Sequence, residues 1–189
     1  SQDHKARDDG DRGPNTGGMG AYSPAPVVTT KVHERAMSEV IMPTLQGMAA
    51  DGHPYRGFLY AGLMVDADGA IKVVEFNCRF GDPEAQPVMM RLRSDLLPAL
   101  QQAASGELMI EALNFDPRMA LGVVMAAGGY PAAYDSGETI TGLDKNLEDT
   151  KVFHAGTKIQ DEQVVPAGGR VLCVVGLGDT VEAARERAD

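Results

Sequence analysis

Val73-Val74-Glu75-Phe76-Asn77-Cys78-Arg79-Phe80-Gly81-Asp82-Pro83-Glu84 is the stretch on which the fold and the chemistry of this chain turn. It follows an apolar run from Gly57 to Val65 and an Asp66-Ala67-Asp68-Gly69 turn. That order predicts a β-hairpin whose second arm runs from Ile71 to Cys78. Strand side chains alternate, so Glu75, Asn77 and Arg79 are expected on one face, with Val74, Phe76 and Cys78 packed on the other. A carboxylate and a carboxamide oxygen at this spacing suit Mg²⁺, which takes few protein ligands and fills its shell with water and phosphate oxygens. The guanidinium beside them could clamp a phosphoryl group or a carboxylate through two parallel hydrogen bonds. Asp82 and Glu84 follow where the strand ends, at the mouth of such a site. The alternative is an ordinary solvent-facing side of an antiparallel strand, and the residues alone leave both readings open.

Upstream, Thr29 or Thr30 caps a helix running to about Ala50, kinked at Pro43, which lacks the donor for the preceding turn. Residues 1–26 are rich in glycine and proline and are expected to be loop-like. Within them, Gly13-Pro14-Asn15-Thr16-Gly17-Gly18-Met19-Gly20-Ala21-Tyr22-Ser23 holds four glycines in eight residues. Backbone amides there could approach an anion, with Thr16 and Ser23 as further donors. No Gly-Lys-Ser/Thr follows, so this is not a P-loop, and a flexible surface loop is the alternative. Asp3-His4-Lys5 and Arg7 precede it and read equally as a phosphate-facing cluster or a solvated face.

Downstream, Arg79 to Pro87 is expected to be a loop leading into a short helix around residues 88–92. Ser94 is the expected cap of a second helix ending near Ser105-Gly106. From about residue 113 the pattern becomes β-rich, with strands at Met119–Ala127, Lys151–Ala155, Gln163–Val165 and Arg170–Leu177. Turns are expected at Gly128-Gly129, Ser136-Gly137 and Gly168-Gly169, and a polar surface loop from Asp135 to Asp149. Gly176-Leu177-Gly178 imitates part of a dinucleotide fingerprint, but Val181 replaces the third glycine, and Asp179 with Glu182 reads as a helix cap. Met89, Met90, Met119 and Met125 are expected as core filler.

Composition narrows the rest. A net charge of −10, from 27 acidic against 17 basic side chains, argues against a nucleic-acid surface, and 5% aromatics against a base-stacking platform. No apolar window is long enough to span a membrane. Cys78 and Cys173 sit in apolar runs and are expected as reduced, buried thiols. The polar opening stretch and the amphipathic Val181–Asp189 segment, which reaches no stop signal, both read as cuts through a larger protein.

On these segments the chain resembles the phosphoribosylamine–glycine ligases, or glycinamide ribonucleotide synthetases, of the ATP-grasp superfamily. Arg79-Phe80-Gly81-Asp82-Pro83-Glu84-Ala85-Gln86-Pro87 looks like the family signature. Gln2-Asp3-His4-Lys5 and Gly13 to Tyr22 match in order and spacing. Gly57 to Leu63, Leu121 to Pro131 and Val152 to Lys158 follow the same family. The resemblance implies an α+β chain. Residues 1–112 are the C-terminal portion of an ATP-grasp domain (antiparallel sheet with helices), and 113–189 a small, mostly antiparallel β C-terminal domain, truncated at its end. It implies ligation of glycine to 5-phosphoribosylamine with ATP as co-substrate, through glycyl phosphate, in purine synthesis in the cytoplasm. Glu75 and Asn77 are then expected as Mg²⁺ or Mn²⁺ ligands. Arg79 would stabilise the transferring phosphoryl group or the glycine carboxylate, and Asp82 would orient the attacking amine. Asp3, His4, Lys5, Thr16, Gly17, Gly18 and Gly20 would line the substrate and phosphate side.

Two departures accompany the resemblance. Gly57–Val65 carries no second metal carboxylate, and Asp66 lies too far along to supply one. The family's N-terminal domain and first ATP-grasp half, with the adenine pocket, lie upstream of Ser1. The chain alone is therefore expected to be inactive, its partners being small molecules and the missing N-terminal part, not nucleic acid or membrane. The alternatives are a non-catalytic binding or structural module of the same fold and another ATP-grasp carboxylate–amine ligase.

Overall fold

The computed structural model describes residues 1–134, 137–145 and 147–189, and in it the chain divides into two units. The first comprises Ser1–Pro24, Asp82–Leu92 and Phe115–Asp189; the second comprises Ala25–Gly81 and Arg93–Asn114. The expected Ser136-Gly137 turn falls partly outside the described residues, as does part of the Asp135–Asp149 loop.

The first unit is built on a five-stranded antiparallel sheet of order β1-β2-β5-β9-β6. Its strands are β1 (Gln2–Asp8), β2 (Arg12–Ser23), β5 (Met119–Ala126), β6 (Thr150–His154) and β9 (Arg170–Gly178). β9 is paired on both sides, to β5 and β6, and is buried along most of its length. Alternation sorts its side chains. Cys173, Val175 and Leu177 join Ala120 and Val124 in the core, with Met90 of helix α3 (Ala85–Arg91) and Phe153 packed against them. Gly176 and Gly178 point the other way, toward helix α5 (Val181–Ala188). A Cβ on Gly176 would lie 2.3 Å from the Ala184 carbonyl oxygen, and one on Gly178 2.4 Å from the Ala184 nitrogen. The glycines that imitate a dinucleotide motif are therefore the seat of a helix. Thr180, not Asp179, caps that helix, accepting from the Ala183 N–H at 3.1 Å.

Residues 1–26 are not a loop. β1 and β2 form a hairpin around Asp9-Gly10-Asp11, and β2 continues the sheet by pairing with β5. The glycines serve close approach: a Cβ on Gly20 would lie 2.6 Å from the Gly122 carbonyl oxygen across the β2–β5 ladder. A further hairpin, β7 (Thr157–Gln160) with β8 (Gln163–Pro166), includes a strand the sequence pattern did not reveal. Asp116, 3% exposed, is held by Arg118 at 2.9 Å, which also reaches Asp149 at 2.8 Å.

In the second unit, Thr29 caps helix α1 (Thr30–Arg35), accepting from the Val32 N–H. The helix runs through a π-helical turn over Ala36–Ile41 into α2 (Met42–Ala50). Pro43 thus enters in the first turn of α2, where its missing N–H is tolerated, and the π turn absorbs the disruption. The expected hairpin is present as β3 (Tyr60–Val65) and β4 (Ile71–Asn77), tied to α1 by Arg35, which donates to the Gly69 carbonyl at 2.6 Å. Helix α4 (Leu96–Ser105) is capped by Asp95, not Ser94, and ends on Gly106 in the left-handed conformation. The Ser94 hydroxyl instead accepts from the Asn114 N–H.

Candidate active site

In the second unit, β3 and β4 pair from Tyr60 opposite Asn77 to Val65 opposite Ile71, with a register shift between Gly62 and Leu63. Gly62 faces Glu75 and Leu63 faces Val73, so Val74 is an extra residue, a β-bulge immediately before the acidic position. Beyond it, Glu75 and Asn77 share a face. The Asn77 carboxamide donates to Glu75 Oε1 at 3.0 Å, which leaves Glu75 Oε2 and Asn77 Oδ1 directed elsewhere. These are two hard oxygen donors from one strand. Among the described residues no three His, Cys, Asp or Glu side chains converge to hold a metal. The pair suits a cation that completes its shell with water and phosphate oxygens, not a closed protein cage. Asp66 is occupied locally: its Oδ1 accepts from the Asp68 and Ala70 N–H groups and closes the hairpin turn.

Three expectations for this segment need correction. Arg79 lies past the end of β4 in a bend, where its Nη1 donates to the Phe80 carbonyl at 2.7 Å, so it does not continue the strand row. The opposite face of β4 is not packed: Val74 is 65% and Phe76 42% exposed. Cys78 is exposed too, while Cys173 is buried. A two-stranded sheet offers too little cover for apolar side chains on both faces. Met125, at 53% exposed, likewise is not core.

In the first unit, Asp82, Thr16, Gly17 and Gly18 come together around a residue that sequence reasoning missed. Arg170 Nη2 donates to Asp82 Oδ2 at 2.8 Å. Its Nη1 donates to the carbonyls of Gly17 at 3.0 Å, Gly18 at 3.3 Å and Asp82 at 3.2 Å. The Gly17 N–H donates to the Tyr130 hydroxyl at 3.1 Å, and the Gly18 N–H to Thr16 Oγ1 at 3.0 Å. Thr16 in turn donates to the Lys5 carbonyl at 2.8 Å. Gly18 adopts φ +121°, and a Cβ there would lie 2.4 Å from Pro83 Cδ, so only glycine fits. The glycine segment lies within β2, where its pairing with β1 shifts register between His4 and Ala6, and the amides of Gly17 and Gly18 are already bonded. Lys5 pairs with Asp3 at 2.5 Å. His4 stands apart from them, lining a cavity of about 610 Å³ with Gly20, Tyr22, Leu121, Val123 and Arg185. Nearby, burial and the charge of Asp82 push the Cys173 thiol up to about 12. No periodicity links Arg170 to Asp82, which lies 88 residues away; only the Gly168-Gly169 turn before it marked the position.

The chain matches two family models in order: the ATP-grasp (A) domain of phosphoribosylglycinamide synthetase over residues 1–85, and its C domain over residues 120–189. It is 61% identical over 189 residues to a phosphoribosylamine–glycine ligase of Vibrio cholerae, and 60% identical over 190 to that of Escherichia coli O157:H7. All of this chain is covered in each case, against 44% of the relative. A crystal structure of the phosphoribosylamine–glycine ligase of Thermotoga maritima matches with a TM-score of 0.82 at 40% identity, over 99% of this chain and 46% of that one. The mixed fold with antiparallel sheets is that of an ATP-grasp half followed by a small β-rich domain. With two domains of one synthetase matched in sequence order and a solved relative following nearly every residue, the chain belongs to the phosphoribosylglycinamide synthetase family.

Proposed function

We propose that the protein to which these residues belong is an ATP-dependent carboxylate–amine ligase that joins glycine to 5-phosphoribosylamine. The observation that carries this reading is the match to both domains of one synthetase, in order, along a single chain. A glycine carboxylate oxygen attacks the γ-phosphorus of ATP, releasing ADP and forming glycyl phosphate. The amine then attacks the acyl carbon, phosphate leaves, and the amine loses a proton as the amide forms. No covalent enzyme intermediate is required, so the protein's work is alignment and charge neutralisation.

Glu75 and Asn77 would hold Mg²⁺ or Mn²⁺, which when bound supplies positive charge against the ATP phosphates. Arg79, whose guanidinium among the described residues donates only to the neighbouring Phe80 carbonyl, neutralises the transferring phosphoryl group or the glycine carboxylate. Asp82 orients the amine. Asp3, His4, Lys5, Thr16 and the glycines Gly17, Gly18 and Gly20 belong to the substrate and phosphate side. The boundary near residue 112 is supported by the gap between the two matched domains, residues 86–119. We further propose that the reaction is cytoplasmic and that residues 1–189, which span 44% of the matched relatives, need the rest of the protein to turn over.

Assay of the full-length protein with glycine, phosphoribosylamine and ATP tests the reading: ADP and phosphate form in step with the amide, and other amino acids do not replace glycine. Preference for another acid or amine overturns it. Glu75→Ala lowers kcat by about 10²-fold or more through lost charge stabilisation at the phosphates. Near-wild-type turnover in that variant sinks the metal assignment.

A further inference from the structure

We infer that Arg170 is a positioning residue that fixes Asp82 and the Gly17–Gly18 segment for the amine substrate, an inference that rests on the proposed ligase reading. The guanidinium is a planar fork. One nitrogen is shared by three main-chain carbonyls, those of Gly17, Gly18 and Asp82, and the other holds the Asp82 carboxylate. A lysine has a single nitrogen and cannot reproduce that pattern. The surroundings are shaped to the same end. A Cβ on Gly17 would press on Arg170 Cζ at 3.1 Å, and a Cβ on Gly18 would collide with Pro83. Behind the fork, Gly169 lies against the ring of Tyr130, with a Cβ there only 2.4 Å from Cδ2, and the same tyrosine accepts the Gly17 N–H. Two segments distant in sequence, Gly17–Gly18 and Asp82, therefore converge on one guanidinium.

The exposure of the pair shows what the arrangement is for. The Arg170 side chain is 21% exposed, but that of Asp82 is 54% exposed. An ion pair half open to water adds little to stability. Its consequence is orientation: Oδ2 is anchored, and Oδ1 carries no hydrogen bond among the described residues. That free oxygen accepts an N–H of the incoming amine and holds its lone pair in a fixed direction. Arg170 itself touches no reacting atom.

The test is steady-state kinetics of the full-length synthetase, with glycine, phosphoribosylamine and ATP varied in turn. Arg170→Ala is expected to raise KM for phosphoribosylamine about tenfold or more, the equivalent of one charge-assisted hydrogen bond, and to leave KM for ATP within about twofold. Free guanidinium ion added to that variant restores activity. Arg170→Lys keeps the charge but not the fork and retains most of the defect, and it carries the same test if the alanine variant does not accumulate as folded protein. Unchanged kinetics in both variants overturn the inference. So does a uniform rise in all three KM values with a lowered Tm and no guanidinium rescue, which is the signature of a merely structural residue. A wild-type enzyme that forms no amide from these substrates overturns the ligase reading itself, and this inference with it.

Discussion

β9 and β4 are written in similar letters, Arg-Val-Leu-Cys-Val-Val-Gly-Leu-Gly against Ile-Lys-Val-Val-Glu-Phe-Asn, yet their fates differ. Val175 of β9 is fully buried, while Val74 of β4 is 65% exposed. β9 has a strand on each side, α3 over one face and α5 over the other; among the described residues β4 pairs with β3 alone. Apolar composition makes a strand, but neighbours make a core. The strand with the deepest burial holds no predicted ligand, and the thinly supported one holds Glu75 and Asn77. The deepest core and the two candidate metal ligands thus lie on different sheets.

The most direct way to break this contrast is to disturb the seat of α5. Gly176→Val places side-chain atoms where even a Cβ meets the Ala184 carbonyl at 2.3 Å, and the expected cost is about 3 kcal/mol, read as a lowered unfolding midpoint. A midpoint unchanged from wild type would show that α5 yields freely.

A smaller effect separates the two cysteines. Cys173, raised from 9.0 to about 12, stays protonated in the folded state over a range where the unfolded thiol ionises. Its contribution is therefore complete below pH 9 and declines as pH rises through that window, by up to about 1.4 kcal/mol per pH unit. Cys173→Ala should flatten that slope, and in the native wild type iodoacetamide should modify exposed Cys78 well before Cys173. Equal labelling rates would erase the distinction between the strands.

The smallest change is expected on β4: Val74→Thr should shift stability by less than about 0.5 kcal/mol in thermal unfolding, because the side chain is already in water. A larger loss would mean that the bulge depends on valine.

Much of this arrangement was legible. The β5, β6, β8 and β9 runs, the Thr29 cap and the 57–78 hairpin announce themselves through periodicity and turn chemistry, which are local. The first 26 residues form strands despite their glycines because glycine there does not mean freedom. At Gly18 and Gly20 it marks crowding against Pro83 and the Gly122 carbonyl, which depends on partners far along the chain. β7 was hidden because Thr157-Lys158-Ile159-Gln160 is short and lacks an apolar run. That Glu75 and Asn77 share a face could be read from strand alternation, and their hydrogen bond agrees with that placement. Arg79 could not, because the strand stops two residues before it. Arg170 was illegible for a different reason: its importance lies wholly in where the fold brings it.

The bulge at Val74 has one more consequence. A strand's two faces are a matter of parity, and an extra residue resets the count. The Asp66 turn and the Leu63–Val73 pairing sit on one side of that reset, and Glu75 and Asn77 on the other. A turn longer or shorter by one residue would ordinarily invert every side chain beyond it. Here a bulge gained or lost can take up the difference instead, so a hairpin tip one residue longer or shorter need not turn Glu75 and Asn77 to the other face.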